Sequence, residues 1–318
     1  MHQLQDPALD SSAIPAHLHE GLWTPIGKRP MSCSIDAVRD IEIPNEDTKI
    51  LERMHNIVLD ECIAPSILPL NQAFVSGGDI MYNITGLHSE FSSGIALHIL
   101  RLSLLLDCMK GFNYASHSWT HRVLEHARLP AGLRLSIQRL VETQTAFLLF
   151  AGYLYPPCRR QCGYRQGGPL STLLYIICVA PFLHALSQVN GVRKVFGFCD
   201  DWEISFTGLR PLRQICSLIR AFEAGSGQQI HRGKSKFLSN REMSSNEKRC
   251  LGTIWRDAAL AENEIVLGTP LGRNVRMRDF VRKPLSTLTQ RITIYGTIPM
   301  SLPMRIVVAN VYLLSLFS

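Results

Sequence analysis

Two carboxylates stand side by side in the stretch Phe196-Gly197-Phe198-Cys199-Asp200-Asp201-Trp202-Glu203-Ile204-Ser205-Phe206, where an apolar run meets the acidic pair and then continues as an apolar alternation. The period predicts two short strands, 197–199 and 203–206, joined at the pair, with both Asp side chains at the tip of a hairpin. If both ionise about 4 Å apart, their repulsion is about 4 kcal/mol at an effective dielectric of ~20, and a bound divalent cation would relieve it. A solvated turn is the other reading, because Asp-Asp is common between strands. A third acid, Asp107, closes the strongly apolar segment 95–109. Burying an unpaired carboxylate is costly, so an Asp at the end of a Leu-Leu-Leu run belongs at a strand end facing a site. His117 and His121 lie one helical turn apart, but with no acid between them they read as surface or packing residues.

Donors and cations accompany these acids. In RQGGPLS, Gly167 and Gly168 lack a Cβ, so the backbone can lie against a flat surface such as a base or sugar, while Arg165 and Gln166 offer donors. The start of a helix at Ser171 is the simpler reading of the same loop. Arg39 and Lys49 flank a polar turn, and His231, Arg232, Lys234 and Lys236 form a basic segment. Arg273, Arg276, Arg278, Arg282 and Lys283 are expected on one helical face, which suits either a phosphate backbone, with strongly salt-dependent binding, or plain solvation.

The elements that must position these groups follow from periodicity. A short alternating segment precedes the turn at 44–47, and a helix follows with Ile50, Met54, Ile57 and Val58 on one face. A second helix begins near Asp79, whose carboxylate can cap it. Residues 95–109 are expected as strand, 110–150 as a turn and two helices split by Pro130-Ala131-Gly132, and the helix after the hairpin breaks at Gly225-Ser226-Gly227. With 318 residues, 46% of them hydrophobic, the chain holds an ample core as two domains or one lobed domain. Its net charge of +7 fits an anionic partner or an ordinary basic enzyme. Nine cysteines without a repeated spacing argue against a disulfide framework, and Cys158 with Cys162 lacks the second pair of a zinc site. No secretory signal opens the chain, since residues 1–20 are polar and interrupted by Pro7 and Pro15. The apolar runs 170–186 and 303–318 are shorter than about 20 residues and read as core rather than membrane spans. The chain stops soon after an apolar helix, which reads as a fragment or a truncated copy of a longer architecture.

The order of these segments is more specific than any one of them. Between about Ser34 and Ile294 the chain resembles the reverse transcriptases of non-LTR (LINE-type) retrotransposons. VRDIEIPNEDTKIL resembles that family's fingers segment containing Arg-Pro-Ile, and NQAFVSGGDIMYNI the following segment with Gln, Phe, Gly-Arg and Asn-Ile. LLLDCMKGFNYASH is similar to the first palm motif, RQGGPLS to the second, and FGFCDDWEI to the third with its aromatic-x-Asp-Asp core. The resemblance implies an α+β, right-hand polymerase fold. Its expected parts are a flexible lead-in over 1–33, fingers over 34–100, and a palm of antiparallel sheet packed on helices, with finger insertions, over 101–264. The start of a truncated thumb would occupy 265–318.

The same resemblance implies an RNA-directed DNA polymerase that adds dNTPs to a DNA primer 3′ hydroxyl on an RNA template. Asp107, Asp200 and Asp201 would be the catalytic acids and would hold two Mg²⁺ ions, replaceable by Mn²⁺. Arg39 would meet the triphosphate, Gln166 and Gly167 would line the nucleotide and template, and Lys234 or Lys236 would assist pyrophosphate departure. Phe112, otherwise a core aromatic, would be the steric gate against a ribose 2′-hydroxyl. Residues 250–254 would be the primer grip, and the helix after Leu271 would touch the duplex backbone rather than base edges. A nuclear location, with no membrane partner, is also implied. Four positions depart from the pattern: Asn113 replaces a second Asp, Gly77-Gly78 replaces Gly-Arg, Cys199 replaces Ala, and Asp40 replaces the Pro after the Arg39 counterpart. None removes a metal ligand, but Gly78 and Asp40 weaken the expected phosphate grip. A degenerate copy that binds nucleic acid without polymerising is therefore the alternative. An RNA-dependent RNA polymerase shares a palm but usually has Gly where Cys199 stands.

Overall fold

A computed structural model describes residues 15–27, 38–313 and 315 of the chain. Cys33, the first fingers residues 34–37 and most of the expected lead-in lie outside the described residues. Residues 15–27 are ordered structure rather than a loose lead-in: a 3-10 turn (Ala16–Leu18) runs into strand β1 (Glu20–Gly27). Strand β2 (Val38–Pro44) and helices α1 (Glu46–Ile67) and α2 (Ile80–Ala96) follow. Next come β3 (Arg101–Met109), a single turn α3 (Gly111–Tyr114), α4 (His117–His126), α5 (Ala131–Glu142), β4 (Thr145–Phe150), β5 (Tyr153–Leu154) and β6 (Cys158–Arg159). Helix α6 (Ser171–Ser187) leads to β7 (Val192–Phe198) and β8 (Asp201–Thr207), then α7 (Leu212–Ser226), β9 (Gln229–Ile230), β10 (Lys236–Ser239) and α8 (Ser245–Ile254). Strand β11 (Ala259–Ala261), the hairpin β12 (Asn263–Val266) and β13 (Thr269–Gly272), and helices α9 (Met277–Gly296) and α10 (Leu302–Val308) complete the order.

The central sheet runs β11-β10-β3-β8-β7, with β9 pairing the end of β3. Strands β3 and β8 are antiparallel and in register from Arg101↔Thr207 to Asp107↔Asp201. Because side chains alternate along a strand, Leu102, Leu104, Leu106, Trp202, Ile204 and Phe206 fall on one face, and all six are buried. That face packs with α6, whose residues Leu173, Leu174, Ile176, Ile177, Val179 and Leu183 belong to the same core. Each such side chain contributes roughly 1.5–3 kcal/mol of burial. The other face carries Ser103, Leu105, Asp107, Asp201, Glu203 and Ser205. It is partly covered by a small cluster of Leu87, Phe91, Phe196, Leu238 and Leu271, contributed by α2, the sheet and the β12–β13 hairpin. The acids thus sit at the end of a polar sheet face backed by a fully apolar one.

A second sheet, β2-β1-β4-β5 with β6 also on β4, lies beside the first. Strand β4 was expected within helical scaffold, but its run TAFLLF pairs parallel with β1, from Glu20↔Thr145 to Trp23↔Leu148. The segment expected as strand from residue 95 begins as helix: α2 buries Asn83, Leu87, Phe91 and Gly94, and its helical spacing carries it to Ala96. On α1, Ile50, Met54, Ile57 and Val58 are exposed, the reverse of the expected orientation. The buried side is Thr48, Glu52, His55, Leu59 and Ile63, held partly by polar contacts such as that of His55 Nε2 with Ser136 Oγ. The Asp79 cap forms as expected, accepting from the Met81 N–H at 2.8 Å. Residues 250–254 are the end of helix α8, followed by Trp255 packed edge-on to Phe237. Run 170–186 is core, whereas Leu302, Met304, Ile306, Val307, Val311 and Tyr312 are exposed, with Val308 buried and residues 309–313 packed against α9. Among the described residues no helix is long and apolar enough to cross a membrane. The eight described cysteines are free; Cys62, Cys158, Cys162 and Cys250 are exposed, and Cys178, Cys199 and Cys216 are buried.

Candidate active site

The turn between β7 and β8 is Cys199-Asp200, closed by the pair Phe198↔Asp201. Cys199 has φ 57°, a left-handed conformation that costs a non-glycine residue roughly 1–2 kcal/mol. Three side-chain hydrogen bonds hold it there. The Cys199 N–H donates to Asn71 Oδ1 at 3.2 Å, Asn71 Nδ2 donates to the Cys199 carbonyl at 3.3 Å, and Trp202 Nε1 donates to the same carbonyl at 2.7 Å. One residue pair earlier, the Gly197 carbonyl accepts from Asn83 Nδ2 at 2.8 Å and from the Gln72 N–H at 3.0 Å. A Cβ at Gly197 would lie 2.7 Å from the Leu70 carbonyl oxygen, so only glycine lets the strand approach so closely. The segment 71–83, expected to face phosphate, therefore grips the acid-bearing turn. Burial and the neighbouring Asp charges push the thiols of Cys199 and Cys108 up to about 12, which keeps both protonated at neutral pH.

Asp107 and Asp201 are direct partners across β3 and β8, and Asp200 precedes Asp201 at the exposed tip. The Asp201 carboxyl lies above its ordinary value, first through desolvation against the sheet and then through the negative charges of Asp200 and Asp107. Among the described residues no three His, Cys, Asp or Glu side chains are gathered tightly enough to hold a metal ion as they stand. The donor set nonetheless fits a hard divalent cation: Asp107, Asp200 and Asp201 stand at one sheet end, and the like-charge pressure on Asp201 is what such an ion would relieve.

Two cavities border these acids, one lined by Asp200 and the other by Asp107 and Asp201. The larger, about 550 Å³, is lined by Arg39, Phe112, Gln166, Gly167 and Asp200, together with Asp40, Lys110 and Asn113. The Phe112 ring stacks on Tyr175, with centroids 4.4 Å apart. The smaller, about 230 Å³, is lined by Asp107 and Asp201 with Lys234, Lys236, Glu203 and Glu264. The structure thus brings Arg39, Phe112, Gln166 and Gly167 to one wall system and separates Lys234 from them. Lys236 is engaged by Glu264 of the β12–β13 hairpin at 2.5 Å. Burial holds the Glu203 carboxyl high, at about 8, with the Ser103 hydroxyl as its polar neighbour.

Other expectations change. Arg165 offers no donor to a ligand: it is fully buried, with Nε 2.8 Å from Glu42 Oε1, Nη1 4.0 Å from Glu52 Oε1, and Nη2 donating to the His19 carbonyl. The loop glycines serve this packing, since a Cβ would lie 2.6 Å from the Glu42 carbonyl oxygen at Gly167 and 2.6 Å from Glu52 Oε2 at Gly168. Gly78 faces neither cavity, and a Cβ there would lie 2.1 Å from the Gln72 carbonyl oxygen. Arg273 pairs with Glu262 at 2.9 Å and Arg276 precedes α9, so the helical basic face consists of Arg278, Arg282 and Lys283, all exposed. Lys110 on the larger cavity was not singled out by sequence, because its left-handed backbone, φ 44°, is a feature of the fold and not of local spacing.

A family model described as reverse transcriptase (RNA-dependent DNA polymerase) matches residues 26–255. Among solved structures the chain is similar to apo telomerase from Candida tropicalis, with a TM-score of 0.59 at 9% identity over 84% of this chain and 50% of that one. It is also similar to telomerase from Candida albicans in complex with the TWJ fragment of telomeric RNA, with a TM-score of 0.55 at 11% identity over 80% and 45% of the two chains. A C. tropicalis apo telomerase truncated from its C-terminal domain gives a TM-score of 0.58 at 10% identity over 82% and 54%. The chain spans about half the length of these telomerase chains, and the likeness is one of fold: α+β, of the right-hand polymerase type.

Proposed function

The chain belongs to the reverse transcriptase (RNA-dependent DNA polymerase) family, and from that premise we propose that it is the polymerase domain of a non-LTR retroelement, extending a DNA primer with dNTPs on an RNA template. The observation that carries this reading is the pairing of Asp107 with Asp201 at one sheet end beside Asp200, which lines a cavity together with Arg39, Lys110, Phe112 and Gln166. In this reading the larger cavity takes the nucleotide. Arg39, which makes no ion pair with a described residue, and Lys110 neutralise triphosphate oxygens. Phe112, braced by Tyr175, stands where a 2′-hydroxyl would collide. The primer end approaches from the side of Lys234, and Lys236 with Glu264 fixes the hairpin that borders it. Asp107, Asp200 and Asp201 would hold Mg²⁺ or Mn²⁺, which when bound supplies charge stabilisation to the transferring phosphoryl group and activates the primer hydroxyl. The residues themselves mainly position and neutralise.

The boundaries that accompany this reading are fingers over 34–100, joined by β1 and by the insertion β4–β6, a palm over 101–264, and a thumb beginning at 265. A nuclear place of work follows from the retroelement assignment. The test is extension of an RNA-templated DNA primer by the purified protein with Mg²⁺. Asp200→Ala is expected to lower the rate at least about 100-fold, and absence of extension by the parent protein under permissive salt and metal would overturn the activity.

A second reading, nucleic-acid binding without catalysis, is motivated by Gly78 in the place of an expected arginine. Salt-dependent binding of a primer–template duplex without incorporation would support it, and no binding at low salt would reject it. Rescue by Gly78→Arg is not open to this chain, because no side chain fits beside the Gln72 carbonyl.

A further inference from the structure

Two of the positions at which the chain departs from the pattern it resembles touch each other. Asn113 Nδ2 donates to Asp40 Oδ2, and Asn113 Oδ1 accepts from Gln166 Nε2 at 2.9 Å. Asp40 belongs to β2 and Asn113 to the single turn after β3, 73 residues apart in sequence. Both line the larger cavity with Gln166, and both line a second space of about 260 Å³ beside the second sheet, with Trp23, Ala146 and Cys158. We propose that Asp40 and Asn113 are a matched pair that positions Gln166 on the wall of the larger cavity; the inference rests on reading that cavity as the nucleotide site.

The chemistry of the three side chains gives the coupling. Gln166 is tied to β2 through its backbone, whose carbonyl accepts from the Glu42 N–H at 2.9 Å, and to the turn after β3 through its side chain. One N–H of its Nε2 is directed to Asn113, which leaves Oε1 and the second N–H to offer to a ligand. Asn113 accepts from Gln166 and donates to Asp40, which its amide can do and a carboxylate cannot. A carboxylate at position 113 would still accept from Gln166 but would set a second negative charge against Asp40 at hydrogen-bond distance. A residue without an acceptor at position 40 would leave the Asn113 amide N–H unpaired. An acid at 40 therefore requires a donor at 113, which Asn113 supplies and an Asp there would not. The pair also removes the reason for treating Asp40 as a competitor of Arg39. Both residues line the larger cavity, but the Asp40 carboxylate accepts from Asn113 and forms no ion pair with Arg39.

A swap decides the matter. In D40N/N113D the amide and the acid exchange places, and both hydrogen bonds reform with the donor now at position 40. Three proteins, D40N, N113D and D40N/N113D, are compared with the parent by thermal unfolding and by the KM for dNTP and kcat in primer extension. N113D is expected to raise the KM by about tenfold with a smaller change in kcat and to lower the Tm. The double variant is expected to return the KM to within about threefold of the parent and to recover the Tm. A double variant whose losses equal the product of the single ones overturns the pair. Recovery of Tm without recovery of KM overturns the positioning of Gln166 and leaves a structural contact. If the parent extends no primer, the polymerase reading falls by itself, and the Tm cycle still decides the pair: recovery supports it and additivity rejects it.

Discussion

Phe112 lines the larger cavity and stacks on the buried Tyr175, so truncating it opens space on that wall. Phe112→Ala is expected to raise incorporation of rNTP relative to dNTP by roughly 10–100-fold, read as the ratio of the two kcat/KM values. An unchanged ratio would remove the gate. At this scale the sequence exposes what local spacing can carry. An Asp after a Leu run and an acidic pair between two alternating segments lead to Asp107, Asp200 and Asp201, and strand register then brings Asp107 opposite Asp201. It does not reveal roles that depend on distant partners. Arg165 reads as a donor in a glycine loop, yet Glu42 and Glu52, more than a hundred residues earlier, consume its guanidinium. Lys110 and the Asp40–Asn113 contact are invisible for the same reason, since a positive φ and a contact across 73 residues leave no periodic trace.

The clamp of Arg165 on Glu42 and Glu52 is also the joint between β2, α1 and the RQGG loop, and it makes that joint sensitive to pH. Burial pushes the Glu52 carboxyl up to about 7, from an ordinary value near 4.5, although the Arg165 charge opposes the rise. The native state thus holds that proton more tightly than the unfolded chain. Its contribution to stability is full below about pH 4.5 and fades as the pH rises through about 7, a loss on the order of 3 kcal/mol at about 1.4 kcal/mol per unit. Glu52→Gln is expected to flatten the Tm against pH between 5 and 8, and curves that stay parallel to the parent would contradict the assignment. Elements with strong local signals were readable, as with the Asp79 cap and the acidic hairpin. Strand β4 was not, because a short apolar run fits helix or strand alike until the parallel partner β1 is known. The apolar row of α1 is exposed because the buried side includes Glu52 and His55, which a hydrophobic period cannot detect.

For the whole molecule, the fold class followed from the order of motifs rather than from any single one, and the +7 charge acquires a location in the exposed row Arg278, Arg282 and Lys283 of α9. Arg278 and Arg282 lie one helical turn apart and can meet successive phosphates. Replacing all three with Ala is expected to reduce the slope of log binding constant against log salt by about 2–3 for a primer–template duplex. The slope is measured between about 50 and 200 mM salt, and an unchanged value would assign these residues to plain solvation. The distribution of thiols has a practical side. Cys158 and Cys162 border the space shared by Asp40 and Asn113, and they are exposed, whereas Cys108 and Cys199, beside the acids, stay almost wholly protonated at neutral pH. Alkylating reagents, which consume thiolate, therefore discriminate between the mouth of the molecule and its acidic centre. The unaltered chain thus carries its own chemical probes of which surfaces are covered.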